Sequence, residues 1–365
     1  MSIEQFSVRG RLADTGEGIT GDELQLAARN HGIPLEALRY DVTPAGLHYV
    51  LVHYDIPAGN DATWRLEVNG CVEQPMSFGL TELRAMGRRT VRVTLECAGN
   101  GRASLQPRPI SQPWLNEAVG TAEWTGVLLS DLLQNAGIRS DAVDVVFTGA
   151  DHGVERGVEQ DYQRGLSLGE AMDSGAIIAW EMNGDPLPPQ HGYPLRLVVP
   201  GWYGMASVKW LRSIELIDHE FDGFQNAVAY RIRQEAGELG TAITRIEPRA
   251  LLVPPGFPDF MSRHRFVAAG TVTLEGKAWS GWAPIERVDV STDAGVTWHP
   301  AKLDAASNDA LAWRSFSHDW EAAPGEHVLT VRAVDSSGRE QPIEAPWNRG
   351  GFANNSAQRI TVLVT

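Results

Sequence analysis

The stretch Val93–Arg102, VTLECAGNGR, sets an apolar, strand-like run directly against a cysteine and a glycine-rich turn. Gly99-Asn100-Gly101 supplies two of the glycines of a dinucleotide fingerprint, placed just after a strand. The third position, however, is Ser104, and LQPRPISQPW follows with prolines at 107, 109 and 113. A helix cannot run through that segment, so no helix N-terminus is available to hold a pyrophosphate. Cys97 keeps three readings: a small buried hydrophobe, a nucleophile served by a distant histidine, or one soft thiolate for a metal whose other ligands come from a cofactor. Composition does not choose among them.

Outward from Cys97 the chain divides in two. Residues 1–40 read as a lead-in with a short helix in GDELQLAARN, and GLHYVLVHYDIP (46–57) reads as a strand ending at Pro57. From Trp64 to about Ile217, β-rich runs such as WRLEVNG, VDVVFTGAD and PLRLVVPG alternate with brief helical pieces such as SDLLQNAG. Their uneven spacing and many Gly and Pro residues predict a mixed α/β domain of α+β class rather than evenly wound βαβ units. Asn183-Gly184 between apolar flanks predicts a hairpin. RIEPRALLVPPGFPDF (245–260) reads as a proline-rich connector. Period-2 runs with regular turn signals follow, in AAGTVTLEGKAWSG, IERVDVSTDAGVTWHPAKL, GEHVLTVRAVDSSGRE and QRITVLVT. These predict an antiparallel, all-β immunoglobulin-like sandwich. The expected division is residues 1–245 and 246–365.

The 365 residues, 43% hydrophobic and 21% charged, are ordinary for a globular chain with two cores, and no apolar run reaches membrane-spanning length. A formal net charge of −15 repels phosphate backbones and anionic membranes, so neither nucleic acid nor a membrane is an expected partner. MSIEQFSVRG lacks the features of a secretory leader, which makes the cytoplasm the default compartment; a trimmed periplasmic form would look the same. Two cysteines, Cys71 and Cys97, cannot build a disulfide framework, a Cys-rich zinc site or an iron–sulfur site. Cys71, embedded in LEVNGCVEQP, reads as a buried hydrophobe. GLSLG matches G-x-S-x-G around Ser167, but the polar VEQDYQR before it is no buried strand. Ser167 with Glu170 instead reads as a capping box opening a helix.

ECAGNGR, TAEWTGV and AWEMNGDPLPPQHGYPLRLVVPGWYGMASVKWL (179–211), in this order and spacing, resemble the sulfite oxidase family of molybdenum enzymes. AWSGWAPIERVDVSTDAGVTWHPAKL and VRAVDSSGREQP resemble that family's C-terminal dimerisation domain. The resemblance implies molybdenum held by the dithiolene of molybdopterin and by one protein thiolate, Cys97, in a homodimer. It implies that His53, Asp151, His191, Arg196, Ser207, Val208 and Lys209 contact the pterin. An anionic cofactor in a net-acidic chain needs cations such as Arg196 and Lys209. Trp279, Trp282 and Phe352 are candidates for the dimer interface or for sandwich core.

The same resemblance implies a sulfite-like anionic substrate, with Arg102, Trp114, Tyr230 and Arg349 in its pocket. Arg102 would hold the anion and Tyr230 would donate a hydrogen bond at the reacting oxygen. The pattern breaks in two places. The family's F-Y-V-R-N-H is HYVLVH here, so Leu51 stands where a substrate-binding arginine is expected. A lysine after the cysteine loop has only Gln112 as its nearest counterpart. Losing one guanidinium removes an anion contact of about 1.5–3 kcal/mol, which leaves reduction of S-oxides, or oxidation of another small substrate, as the alternative to sulfite oxidation. No C-x-x-C-H haem attachment is present, so the electrons are expected to leave for an external acceptor such as a cytochrome.

Overall fold

The computed structural model describes residues 2–7, 10–305 and 309–365. Two sheets, one mixed and one antiparallel, make the first unit. One runs in the order Met76–Phe78, Leu66–Gly70, Leu211–Ile217, Asp144–Glu155, Val158–Ser167; its Leu66–Gly70 and Leu211–Ile217 strands pair in parallel. The other pairs Arg89–Glu96 with Val119–Leu128, and that strand with Ile177–Met182, which in turn takes Arg196–Val198 on its far side. Short helices Leu80–Ala85, Leu129–Ala136 and Leu168–Asp173 close over a core that includes Leu66, Leu132, Phe147, Trp180 and Ile214. The predicted hairpin forms at Asn183-Gly184, both with positive φ (55° and 87°), the conformation its two-residue turn demands.

The second unit is the predicted sandwich. A four-stranded sheet (Arg249–Leu252, Gly270–Trp279, Arg314–Ala322, Lys302–Leu303) faces a six-stranded one (Phe257–Pro258, Arg265–Val267, Arg359–Val364, Gly325–Asp335, Ile285–Ser291, His299–Pro300). Leu274, Phe316, Val288, Val331 and Val362 fill the space between them. One pair, Arg265–Val267 with Arg359–Val364, runs parallel within an otherwise antiparallel fold.

Several expectations are corrected. Residues 46–57 form no strand: beyond a turn onto the Pro44 carbonyl and a single bridge between His31 and Val50, side chains help hold their backbone. Asn30 Oδ1 accepts from the Val52 amide at 2.8 Å and Lys209 Nζ donates to the Leu51 carbonyl at 2.6 Å. The alternation is real, since Val50 and Val52 pack on Trp210, but its other face lines a cavity instead of a neighbouring strand. The 245–260 connector contains the fully buried strand Arg249–Leu252. Cys71 is half-buried rather than enclosed. Ser167 caps its helix by accepting from the Glu170 amide at 3.2 Å, yet the Glu170 carboxylate turns to Arg245 (2.8 Å), so the reciprocal half of the box is missing. Trp279 and Phe352 are buried core. Trp282 is 39% exposed but held between the guanidinium groups of Arg245 and Arg339. The exposed apolar surface of the sandwich lies elsewhere, where Phe257, Phe266 and Leu363 stand side by side across three strands, next to Phe260 (83% exposed) and Met261 (82%).

Candidate active site

The strand Arg89–Glu96 delivers Cys97 to the mouth of a turn. The Cys97 amide bonds the Ala118 carbonyl (2.9 Å), the Asn100 amide returns to the Cys97 carbonyl (2.9 Å), and the Asn100 side chain caps the Ala118 amide (3.1 Å). Gly101 adopts φ +90°, and a Cβ there would stand 2.8 Å from the Asn354 carbonyl oxygen of the sandwich. A three-residue turn, Arg102–Ser104, follows in place of a phosphate-binding helix.

Cys97 opens onto a cavity with about 630 Å³ of empty space, counting the open solvent at its mouth. Segments far apart in the chain supply its walls: His48 to His53, Asp151 beside a bulge in its strand, His191 and Arg196, Ser207 and Lys209, and Tyr230. Sequence reading had placed His53, Cys97, Asp151, His191, Arg196, Ser207, Lys209 and Tyr230 at one site, and the fold brings those eight together. His48, Tyr49, Tyr162, Gln190 and Met205 also line the cavity and were not foreseen. The histidine–tyrosine pair in LHYVLVHY was the available signal, hidden by the strand reading.

The cavity is polar and under-satisfied. Arg196 is 5% exposed; its guanidinium bonds the carbonyls of His191 (3.0 Å) and Ser207 (3.2 Å) and lies over Trp124 at 4.6 Å. Lys209 Nζ reaches the carbonyls of Leu51 and Gln190. Neither cation forms an ion pair among the described residues. Burial lowers Arg196 to about 10, and burial with the nearby Arg196 charge lowers Lys209 to about 7. Desolvation takes His48 and His53 down to about 4 and His191 to about 2, so all three are neutral near pH 7, and raises Asp151 to about 6 against the pull of Lys209. His48 Nε2, His191 Nε2 and Asp151 Oδ1 are buried with no hydrogen-bond partner. Each such atom costs about 1–3 kcal/mol. Tyr230 OH shares a 2.7 Å hydrogen bond with His53 Nε2, and burial raises the phenol well above its usual range.

The other expected residues stand behind the wall. The Val208 side chain is packed into the core. Arg102 is buried, with Nε on the Gly350 carbonyl (2.9 Å), Nη1 on the Gln112 carbonyl (3.2 Å) and its guanidinium over Phe352. Burial pushes the Cys97 thiol up; Arg102, the Gly99 amide and the Trp114 indole oppose it. Trp114 packs against Cys97. Gln112 turns its amide to Asn30 (3.1 Å), away from the cavity. Arg349 is half-buried and joins Arg233 through its backbone; its side chain does not line the cavity. Leu51 does line it.

Residues 53–225 match the oxidoreductase molybdopterin binding domain, and residues 242–365 match the Mo-co oxidoreductase dimerisation domain. The chain belongs to the sulfite oxidase family of molybdopterin oxidoreductases. Human mitochondrial sulfite oxidase is 32% identical over 89% of this chain, and nitrate reductase [NADH] 1 of Arabidopsis thaliana is 31% identical over 91%. The chain spans 62% of the human protein and 39% of the plant protein. Among solved structures, the sulfane dehydrogenase SoxCD from Paracoccus pantotrophus superposes with a TM-score of 0.80 at 26% identity, covering 98% of this chain and 90% of that one. No helix among the described residues is long and apolar enough to cross a membrane.

The cavity suits the family's cofactor. No group of three His, Cys, Asp or Glu side chains among the described residues could hold a metal without help, so a metal at Cys97 needs an organic chelate. Arg196 and Lys209 offer positive charge to a phosphate, and Asp151 and His191 add polar side chains to the same lining for ring edges.

Proposed function

We propose that the chain oxidises a small sulfur-centred substrate by oxygen-atom transfer, with sulfite the first candidate, and passes the electrons to an external acceptor such as a small cytochrome. The observation that carries this reading is the opening of Cys97 onto a cavity lined by Arg196 and Lys209, neither ion-paired among the described residues, and by the hydrogen-bonded Tyr230–His53 pair. Bound molybdopterin supplies a two-electron centre able to exchange an oxygen atom with sulfur. The protein's part is to hold and orient. Cys97 gives the one soft ligand, Arg196 and Lys209 neutralise the phosphate, and Asp151 and His191 fix the rings. Tyr230, oriented by His53, keeps a hydroxyl at the substrate side. Arg102 is held beside Cys97 by two carbonyls and contributes its charge through the field rather than by contact.

Leu51 on the cavity wall favours a second reading, a less anionic substrate such as an S-oxide to be reduced or another reduced sulfur compound to be oxidised. A panel of sulfite with artificial acceptors, and of S-oxides with artificial donors, run on molybdenum-loaded protein, separates the two. Sulfite-dependent acceptor reduction supports the first; S-oxide reduction without any response to sulfite supports the second. A homodimer through the sandwich is part of the same proposal, with the Phe257–Phe266–Leu363 row and the adjoining Phe260 and Met261 as its contact surface.

A further inference from the structure

The strand that carries Cys97 ends on a carboxylate sunk in the seam between the two units. Glu96 is 2% exposed, and every contact it makes is with a donor. Arg249 Nη1 reaches Oε1 at 2.6 Å, Asn100 Nδ2 reaches Oε1 at 3.0 Å, and Trp279 Nε1 reaches Oε2 at 2.8 Å. Arg249 and Trp279 are paired residues on adjacent strands of the sandwich, so their donors arrive as one rigid pair. Arg249 Nη2 continues to the Asn354 carbonyl, and Asn354 Nδ2 donates to the Gly101 carbonyl at 2.7 Å. The Ala353 amide donates to the Ala98 carbonyl at 2.8 Å. Residues 96, 98 and 101, on both sides of Cys97, are thus fixed by the sandwich.

An apolar seam would hold the units together as well, because a buried ion pair seldom stabilises more than a well-packed apolar replacement. Apolar contact, however, is non-directional, whereas a saturated carboxylate has one orientation. The polar ring surrounds the one residue whose direction matters to the cavity.

We propose that Arg249 and Trp279, acting through Glu96, are positioning residues for Cys97, so that the sandwich sets the direction and rigidity of the sulfur in addition to any role in assembly. The claim goes beyond the reading of Cys97 as metal ligand and is testable apart from it. Full-length protein prepared without cofactor is alkylated with iodoacetamide, using Cys71 in the same chain as the internal reference. Arg249→Met and Trp279→Phe raise the Cys97 to Cys71 labelling ratio by about tenfold, as expected from loss of a charge-assisted bond or an N–H donor. Val331→Ala, a truncation in a core cluster of the sandwich other than the one that holds Trp279, lowers the Tm and leaves the ratio unchanged. In the molybdenum-loaded enzyme the same two seam variants broaden or split the Mo(V) electron paramagnetic resonance signal, and Val331→Ala does not. Arg249→Lys, which keeps the charge but not the fork, accompanies Arg249→Met in case the latter fails to fold. An unchanged labelling ratio in Trp279→Phe and Arg249→Lys overturns the proposal whether or not Arg249→Met folds. A changed ratio with an unaltered spectrum would keep the positioning role and instead remove Cys97 as the metal's ligand.

Discussion

Two buried polar clusters flank Cys97, and they are built by opposite rules. In the cavity, His48, His191 and Asp151 each bury an atom without a partner among the described residues, and neither Arg196 nor Lys209 forms an ion pair there, although Lys209 feels the Asp151 carboxylate. In the seam, Glu96 is bonded by three donors and ion-paired with Arg249. Folding alone selects against the first arrangement, since each orphaned group lowers stability, whereas the second is what a rigid interior requires. The cavity therefore leaves hydrogen-bonding capacity for a ligand, whereas the seam saturates its carboxylate and leaves Arg249 Nε as its one buried atom without a partner among the described residues. An unsatisfied cluster marks what binds; a satisfied one beside it marks what positions.

The largest expected effect is on the residue between them. Cys97→Ser removes the only thiol lining the cavity among the described residues and takes turnover to background, with the Tm of the cofactor-free protein unchanged. The next prediction sets the clusters directly against each other through one substitution. Arg249→Met strands Glu96 and costs about 3–5 kcal/mol of stability in denaturant unfolding. Arg196→Met strands no carboxylate, only the carbonyls of His191 and Ser207, so it destabilises the cofactor-free protein less than Arg249→Met does, while cofactor retention falls by about tenfold or more in gel filtration. Equal destabilisation by both would break the comparison. Leu51→Arg restores the guanidinium that the family pattern leads one to expect and lowers the KM for sulfite by about tenfold or more if sulfite is the substrate. An unchanged KM would favour the less anionic class.

Acid and base should act on the cavity in a definite sense. His48, His53 and His191 sit below their usual 6.5, at about 4, 4 and 2, so the unfolded chain takes up protons first and the cofactor-free protein loses stability as pH falls from about 6.5 to about 4. Asp151, raised from 3.8 to about 6, opposes this with one group against three. Lys209, lowered from 10.5 to about 7, adds stability as pH rises through that interval, because the unfolded chain holds the proton there. Denaturant midpoints against pH with and without cofactor check this: the dependence flattens on binding, and an identical profile in both forms would contradict it. The smallest effect belongs to the surface. Phe257→Ser with Phe260→Ser weakens self-association by about tenfold in sedimentation, with activity per protomer unchanged.

Much of this was legible before the fold. Cys97, Arg196 and Lys209 were marked by the family resemblance of the strings that carry them, and Asn183-Gly184 fixed its hairpin by local backbone chemistry. What escaped depended on tertiary partners. The run 46–57 has a strand's alternation, but alternation records only that one face is buried and not that a strand lies alongside; here Asn30 and Lys209 satisfy the backbone. RALL looked like part of a connector because its prolines flank a strand buried on both faces. Arg102 was placed at the substrate by the resemblance, whereas its guanidinium is consumed by two carbonyls and the Phe352 ring. Glu96 was the overlooked signal: a carboxylate at the inner end of an apolar strand needs a partner, and only the fold shows Arg249.

Molybdenum per protomer tests the central claim most directly, measured by mass spectrometry on wild type and on Arg196→Met, both expressed in a host that makes the cofactor. Near-stoichiometric metal in the wild type, and much less in Arg196→Met at equal folded yield, is the predicted result. Wild-type protein that is fully folded and free of molybdenum would contradict it.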